Sequence, residues 1–184
     1  MSKPVYIVDV FEDIVKNVSN VLTPQFQSID NKITGVHYEH GHPIEIIETL
    51  AQKDKMNNFI FDKYPLVALF QDFQEVYNTT VGAPNEVNLH IIIARATRPE
   101  YKAKERYEEN FKPFLYPIYH ELKRQILLSS KFLIYSDEQI RHTKIDRLYW
   151  GSEGLYRNKK NVFNDFLDVI EIKNLRLRTY LKIC

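Results

Sequence analysis

A chain of 184 residues, 44% hydrophobic and 27% charged, has room for one domain with a sizeable core and an ordinary globular composition. Its formal net charge of +1 excludes a global pull toward nucleic acid or acidic lipid, although a local basic patch is compatible with a balanced total. The single cysteine, Cys184, is the last residue, which excludes an internal disulfide, argues against a cysteine zinc site, and suits a reducing compartment.

The chain opens on Met-Ser-Lys-Pro with no long apolar run behind it, so no signal peptide is expected. No apolar run approaches the roughly 18 residues of a membrane span. Phe11, Ile14, Val15, Val18, Val21 and Leu22 recur at helical spacing, with Asp9 and Glu12 placed as a capping box. A helix from about Val10 to Leu22 follows, ended by Thr23-Pro24, with Gln25 to Asn31 as loop. Ile33 to Tyr38 reads as a short strand. Gly41-His42-Pro43 is a turn whose proline suits the first position of a helix, and Ile44, Ile47, Leu50 and Ala51 make that helix amphipathic. Glu45 and Glu48, alternating with apolar residues, leave a strand open as the alternative there. Asp54 to Asn58 reads as a polar loop.

Tyr64 to Phe70 is apolar on both faces, like a strand in a sheet interior. Gln71 to Pro84 reads as a long hairpin connection with strand character at Val76 to Val81. The strongest strand is Val87 to Arg95, where Val87, Leu89, Ile91 and Ile93 share one face and Asn88, His90, Ile92 and Ala94 the other. Thr97-Arg-Pro-Glu100 has the form of a capping box. Beyond it Tyr107, Phe111, Leu115, Ile118, Leu122 and Ile126 form one apolar stripe. Pro113 and Pro117 interrupt that stripe, so two helices or one strong kink near Lys112 to Pro117 are expected. Asp137 to Arg141 reads as a short turn capped by Ser136. His142 to Asp165 is aromatic and irregular. Phe166 to Leu181 closes the chain as a strand whose alternation slips between Ile172 and Leu175, which requires a bulge near Lys173-Asn174. The expected fold is a single α+β domain over residues 1–184. An antiparallel sheet of about four main strands carries the N-terminal helix and the Pro-kinked helix on one face.

Three clusters bear chemistry. His37, Glu39, His40 and His42 are metal-capable, but no spacing matches a motif such as H-E-x-x-H, so solvated histidines and no tight metal are expected. Glu171-Ile-Lys173 has the form of the E-x-K half of a PD-(D/E)xK nuclease site, which needs an upstream Asp such as Asp146 or Asp168. That fold usually continues with a helix after the lysine strand, and this sequence ends too soon. Tyr149, Trp150 and Tyr156 with Arg147 and Arg157 have the composition of an interface hot spot, or else of an aromatic loop folded over the sheet edge. No P-loop, G-x-S-x-G, G-x-G-x-x-G or C-x-x-C occurs, and no cofactor is expected.

Gly41 to Pro43, Lys63-Tyr-Pro-Leu-Val-Ala-Leu69, the long apolar strand, Arg106-Tyr107, Tyr116-Pro-Ile-Tyr119 and the closing Asp168-Val-Ile-Glu-Ile-Lys-Asn-Leu-Arg-Leu177 follow one another behind an N-terminal helix. In this order of elements the chain resembles phage tail-terminator and neck-connector proteins. Its wording is similar to virion structural proteins of phages and prophages of Bacteroides-type bacteria. The resemblance implies a non-enzymatic ring subunit that joins tail to head, assembles in the host cytoplasm and passes DNA through its lumen without reading its sequence. Its implied partners are copies of itself and other neck or tail proteins, with no membrane. Leu175, Arg176, Leu177 and Arg178 alternate apolar with basic, so residues 175–184 read either as an arm reaching a neighbouring subunit or as an ordinary edge strand. The alternative function is a metal-dependent nuclease of the PD-(D/E)xK type.

Overall fold

The computed structural model describes residues 6–55, 62–133, 140–149 and 165–180. The fold is α+β: helix α1 (Ile7–Ile29), strand β1 (His37–Gly41), helix α2 (Pro43–Lys55), strands β2 (Leu66–Val76) and β3 (Asn85–Thr97), a helical run, then strands β4 (Thr143–Tyr149) and β5 (Phe166–Thr179). The helical run has three parts, α3 (Ala103–Arg106), a π-helical segment (Tyr107–Leu115) and α4 (Tyr116–Leu128).

The sheet has five strands in the order β1-β2-β3-β5-β4 and is mixed, which corrects the expectation of four antiparallel strands. β1 lies parallel to β2 because α2 carries the chain between them as a crossover. β4 occupies a stretch expected to be irregular and pairs antiparallel with β5. β1 starts four residues later than the Ile33 to Tyr38 reading, and β2 runs on to Val76 into the expected hairpin connection.

Two cores follow from the period-two alternation of β3. Val87, Leu89, Ile91 and Ile93 face one layer, built from α1, the π-helical segment and α4. Ile92 and Ala94 face the other, where α2 packs Ile46, Ile47, Leu50 and Ala51 against Leu66, Ala68 and Phe70. The N-terminal and proline-bearing helices thus share one face as expected, and α2 covers the second. Leu89 pairs with Leu175 and Ile91 with Ile172, so two residues of β5 oppose His90. Asn174 sits in this bulge at φ 56°, a left-handed conformation that asparagine tolerates. The bulge keeps Ile170, Ile172, Leu175 and Leu177 in one core despite the slip in alternation.

α1 begins after Tyr6, without a side-chain cap from Asp9, and passes through Pro24 to Ile29. The reason lies in Phe26, one helical repeat beyond Leu22 and fully buried, with its ring 5.0 Å from that of Phe114. Burying a Phe contributes about 1.5–3 kcal/mol and an aromatic pair about 0.5–1.5 more. That offsets the roughly 3 kcal/mol of an interior proline. The turn before β1 is held to α1 by Val36 N–H donating to Ser19 Oγ at 2.8 Å. A Cβ on Gly35 would come within 2.7 Å of that oxygen, so the close approach needs glycine.

The helical run neither splits nor breaks at its prolines. The π-helical geometry shifts hydrogen bonding to five residues, as in Tyr116 N–H to Phe111 O. Glu109 O, the carbonyl that a residue with an N–H at position 113 would bond in an α-helix, accepts from Arg95 Nη1 at 3.0 Å. Arg95 also lies 3.4 Å from the Phe114 ring centroid. Burial pushes its guanidinium down to about 10, leaving it charged at neutral pH. The first turn starts at Ala103, with Lys102 N–H bonded to Glu105 at 2.8 Å, rather than at Thr97-Arg-Pro-Glu100. Along the expected stripe Phe111, Leu115, Ile118, Leu122 and Ile126 are buried, whereas Tyr107 is exposed because Arg106 takes the inward position. Leu122 is fully buried. Leu122→Ala is expected to cost about 2–5 kcal/mol in denaturant unfolding; an unchanged midpoint would contradict this packing.

Candidate functional site

The expected sites separate once their side chains are placed. His37 Nε2 lies 3.2 Å from Thr34 Oγ1, His40 stacks on Tyr38, and His42 Nδ1 accepts from Ile44 N–H at 3.3 Å. Glu39 is taken by Lys53 at 2.7 Å. Among the described residues no three metal-capable side chains converge. Glu171 and Lys173 do pair at 3.1 Å, and Glu171 also meets His90 at 2.8 Å. Asp168 is three positions from Glu171 on one strand and faces the opposite layer, and Asp146 pairs with Lys144 at 3.5 Å. The carboxylates of a PD-(D/E)xK centre are therefore not brought together.

Trp150, Tyr156 and Arg157 lie outside the described residues, as do 136–139 of the expected turn and its cap. Arg147 and Tyr149 fall on β4, the outermost strand. Leu175 to Thr179 pair with β3 of the same chain, with Leu175 and Leu177 buried in its own core, and 181–184 of the expected arm lie outside the described residues. Arg176 and Arg178 lie on the other face at 2.5 and 3.1 Å from Glu86. Hydrogen bonding by Arg176, joined by Arg178, holds the Glu86 carboxyl below the ordinary glutamate range against the opposing effect of burial. A depressed folded-state value contributes stability that is complete above the unfolded-state pKa and is lost as pH falls through the folded one. Glu86→Gln should therefore flatten part of the acid limb of stability against pH; an unchanged limb would contradict the pairing.

The densest polar constellation is one the sequence reading did not single out. Arg106 and Asp168 are 1% and 0% exposed and meet at 3.1 Å between the helical run and the sheet. The guanidinium also donates to Thr97 Oγ1 at 2.8 Å and to the carbonyls of Arg98 at 2.9 Å and Pro99 at 3.3 Å. The second carboxylate oxygen accepts from Asn110 Nδ2 at 2.7 Å. The first also accepts from Arg147 N–H at 3.3 Å. Arg147 has φ 55° at a register shift between Ile145 and Leu148, so Asp168 takes up a backbone donor that the bulged ladder leaves. The available signal was an aspartate inside the apolar run Phe166-Leu-Asp-Val-Ile170, because a charge there must be paired. Breaking one partner strands the other, so Asp168→Ala is expected to lose about 3–5 kcal/mol in chemical denaturation, with Arg106→Met/Asp168→Leu recovering much of it. A loss under 1 kcal/mol would contradict the role.

Three surface features remain as candidate contacts. The β2–β3 hairpin end exposes Val76, Tyr77 and Val81 at 41, 49 and 100%. β1 reaches only Phe70 of β2, so among the described residues Gln71 to Val76 form an outer sheet edge. Among the described residues β4 forms the outer edge at the far side, with Arg141 and Lys144 exposed. No helix among the described residues is long and apolar enough to cross a membrane. The chain matches no family model, no curated protein and no solved structure.

Proposed function

We propose that this chain is a structural subunit of a closed ring of the phage neck or tail-terminator type, assembled in the host cytoplasm and incorporated into the virion. The ring would join tail to head and pass DNA through its lumen without reading its sequence. The observation that supports this reading best is the apolar hairpin end. Val76 and Val81 stand 41% and 100% exposed at the end of the hairpin, where β2 runs on past β1. A projection of this kind is buried by assembly, and repeated head-to-tail contacts that close make a ring.

Purified protein should run as a multimer in size-exclusion chromatography with light scattering, appear annular in negative stain, and keep its mass in chelator. A monomer with metal-dependent cleavage of DNA would overturn the reading in favour of the nuclease. Val76→Asp/Val81→Asp should change stability by no more than about 0.5 kcal/mol, as exposed sites do, while weakening assembly. Unaltered assembly would remove the hairpin from the contact.

A further inference from the structure

The two outer edges of the sheet differ in charge and in shape. Beside the outer edge of β2 lies a groove of about 640 Å³, lined by Tyr6, Val8, Asp9, His40, Phe73 and Glu75 among others. Tyr6 is 52% exposed and Phe73 half-buried, so its walls are partly apolar. The charges around it are mostly acidic. Asp9 and Glu75 line it, Glu12 acts on the nearby Tyr38, and Asp72 lies on the same strand as Glu75, with no Lys or Arg among residues 7–15 or 71–76. His40 is the titratable group that faces them from β1. The same sign is felt inside, where burial first, then Glu12 and Asp9, push the Tyr38 hydroxyl up.

The opposite edge is basic. Arg141 to Tyr149 contains Arg141, His142, Lys144 and Arg147 against the single acid Asp146. Lys144 spans Asp146 at 3.5 Å and the Phe111 ring at 4.3 Å. Desolvation, then the positive neighbours Lys123 and His120, hold His142 below its ordinary value. An exposed edge strand with unpaired ladder groups is a template for another strand.

The pairing pattern also fixes direction. β2 and β5 each run antiparallel to β3, and β4 runs antiparallel to β5, so β4 and β2 point opposite ways. A second copy placed beside β4 in the same orientation therefore presents its β2 antiparallel. β4 is level with Arg95 of β3, and the open stretch of β2 with Asn88, so successive copies are offset by about seven residues, roughly 24 Å. The repeat from β2 through β3, β5 and β4 to the next β2 is four strand spacings, roughly 19 Å. The lean is therefore about 50°, a little steeper than the roughly 35–45° tilt of strands in a closed barrel.

We infer that the basic edge β4 of one copy adds antiparallel to the acidic edge Gln71–Val76 of the next, with its side chains meeting the groove beside α1. The inference rests on the ring reading and names the surfaces that would close it. The contact is heterologous, since each copy offers one edge of each sign.

The test uses two charge-reversed full-length proteins, Asp72→Lys/Glu75→Lys and Arg141→Glu/Lys144→Glu, with folding checked by circular dichroism. Each should need at least about a hundredfold higher concentration to assemble, since facing like charges cost several kcal/mol. Mixed together they should co-assemble into alternating multimers, because the native edges pair at one contact and the two reversed edges pair at the next. The protein carrying all four substitutions should assemble again. The milder Asp72→Asn/Glu75→Gln should weaken assembly in the same direction and reduce its salt sensitivity, which keeps the test decisive if a reversal unfolds the chain. Wild-type assembly matched by both reversed proteins would overturn this interface and leave the ring standing. A wild type that stays monomeric up to about 1 mM would overturn both.

Discussion

The ion pair between Arg106 and Asp168 is the constraint on which the helix-to-sheet arrangement depends. Both charges are removed from water, and the partners of the pair come from different parts of the fold: Thr97 and the following loop, Asn110 in the π-helical segment, and the Arg147 amide in β4. A buried pair is not by itself a large stabiliser, because desolvation consumes most of the attraction. Its strength is in geometry. An apolar contact tolerates sliding by an ångström, whereas a guanidinium with four acceptors and a carboxylate with three donors do not. The network sets the start of the helical run, the register of its first turns and the bulge in β4 together.

The π-helical segment follows from that anchorage. Arg106 must face inward, and Phe111, Phe114 and Leu115 must also reach the core. A regular α-helix carrying Pro113 would lose a hydrogen bond and clash with the preceding turn. Widening the turn relieves both, and Arg95 bonds the Glu109 carbonyl from the sheet side. Arg95 further spans to Asp30 at the end of α1, at 3.8 Å. One arginine thereby ties β3, the helical run and the end of α1, which is also where Phe26 meets Phe114. The two prolines and the unexpected length of α1 are thus parts of one packing solution.

The same sheet is closed on its faces and open at its ends. Helices cover the β3 residues Val87 to Ile93 on one side, and α2 covers much of the other. Its outer strands β1 and β4 are shorter than β2, β3 and β5. Proteins commonly protect such edges with charge, and here the two edges carry opposite signs. Protection against self-association would be served equally well by one sign on both. Opposite signs favour a directed contact between copies, which agrees with the proposed ring.

Local pattern determined a good part of this protein. Period-two alternation placed β3, the apolar run placed β2, Pro43 placed the start of α2, and the parity slip before Leu175 located the bulge at Asn174. These features depend on neighbours within a few residues, so sequence carries them directly. Tertiary structure decided the rest. Pro24 reads as a stop until the burial of Phe26 against Phe114, 88 positions away, is known. Glu171 and Lys173 read as half of a nuclease centre until β5 is seen to turn Asp168 to the other layer. Arg106 and Asp168 are 62 residues apart, and the apolar run around Asp168 demands a partner without naming it. Helix extension, side-chain convergence and buried-charge pairing are set by contacts distant along the chain, and a linear reading supplies the candidates without saying which of them meet.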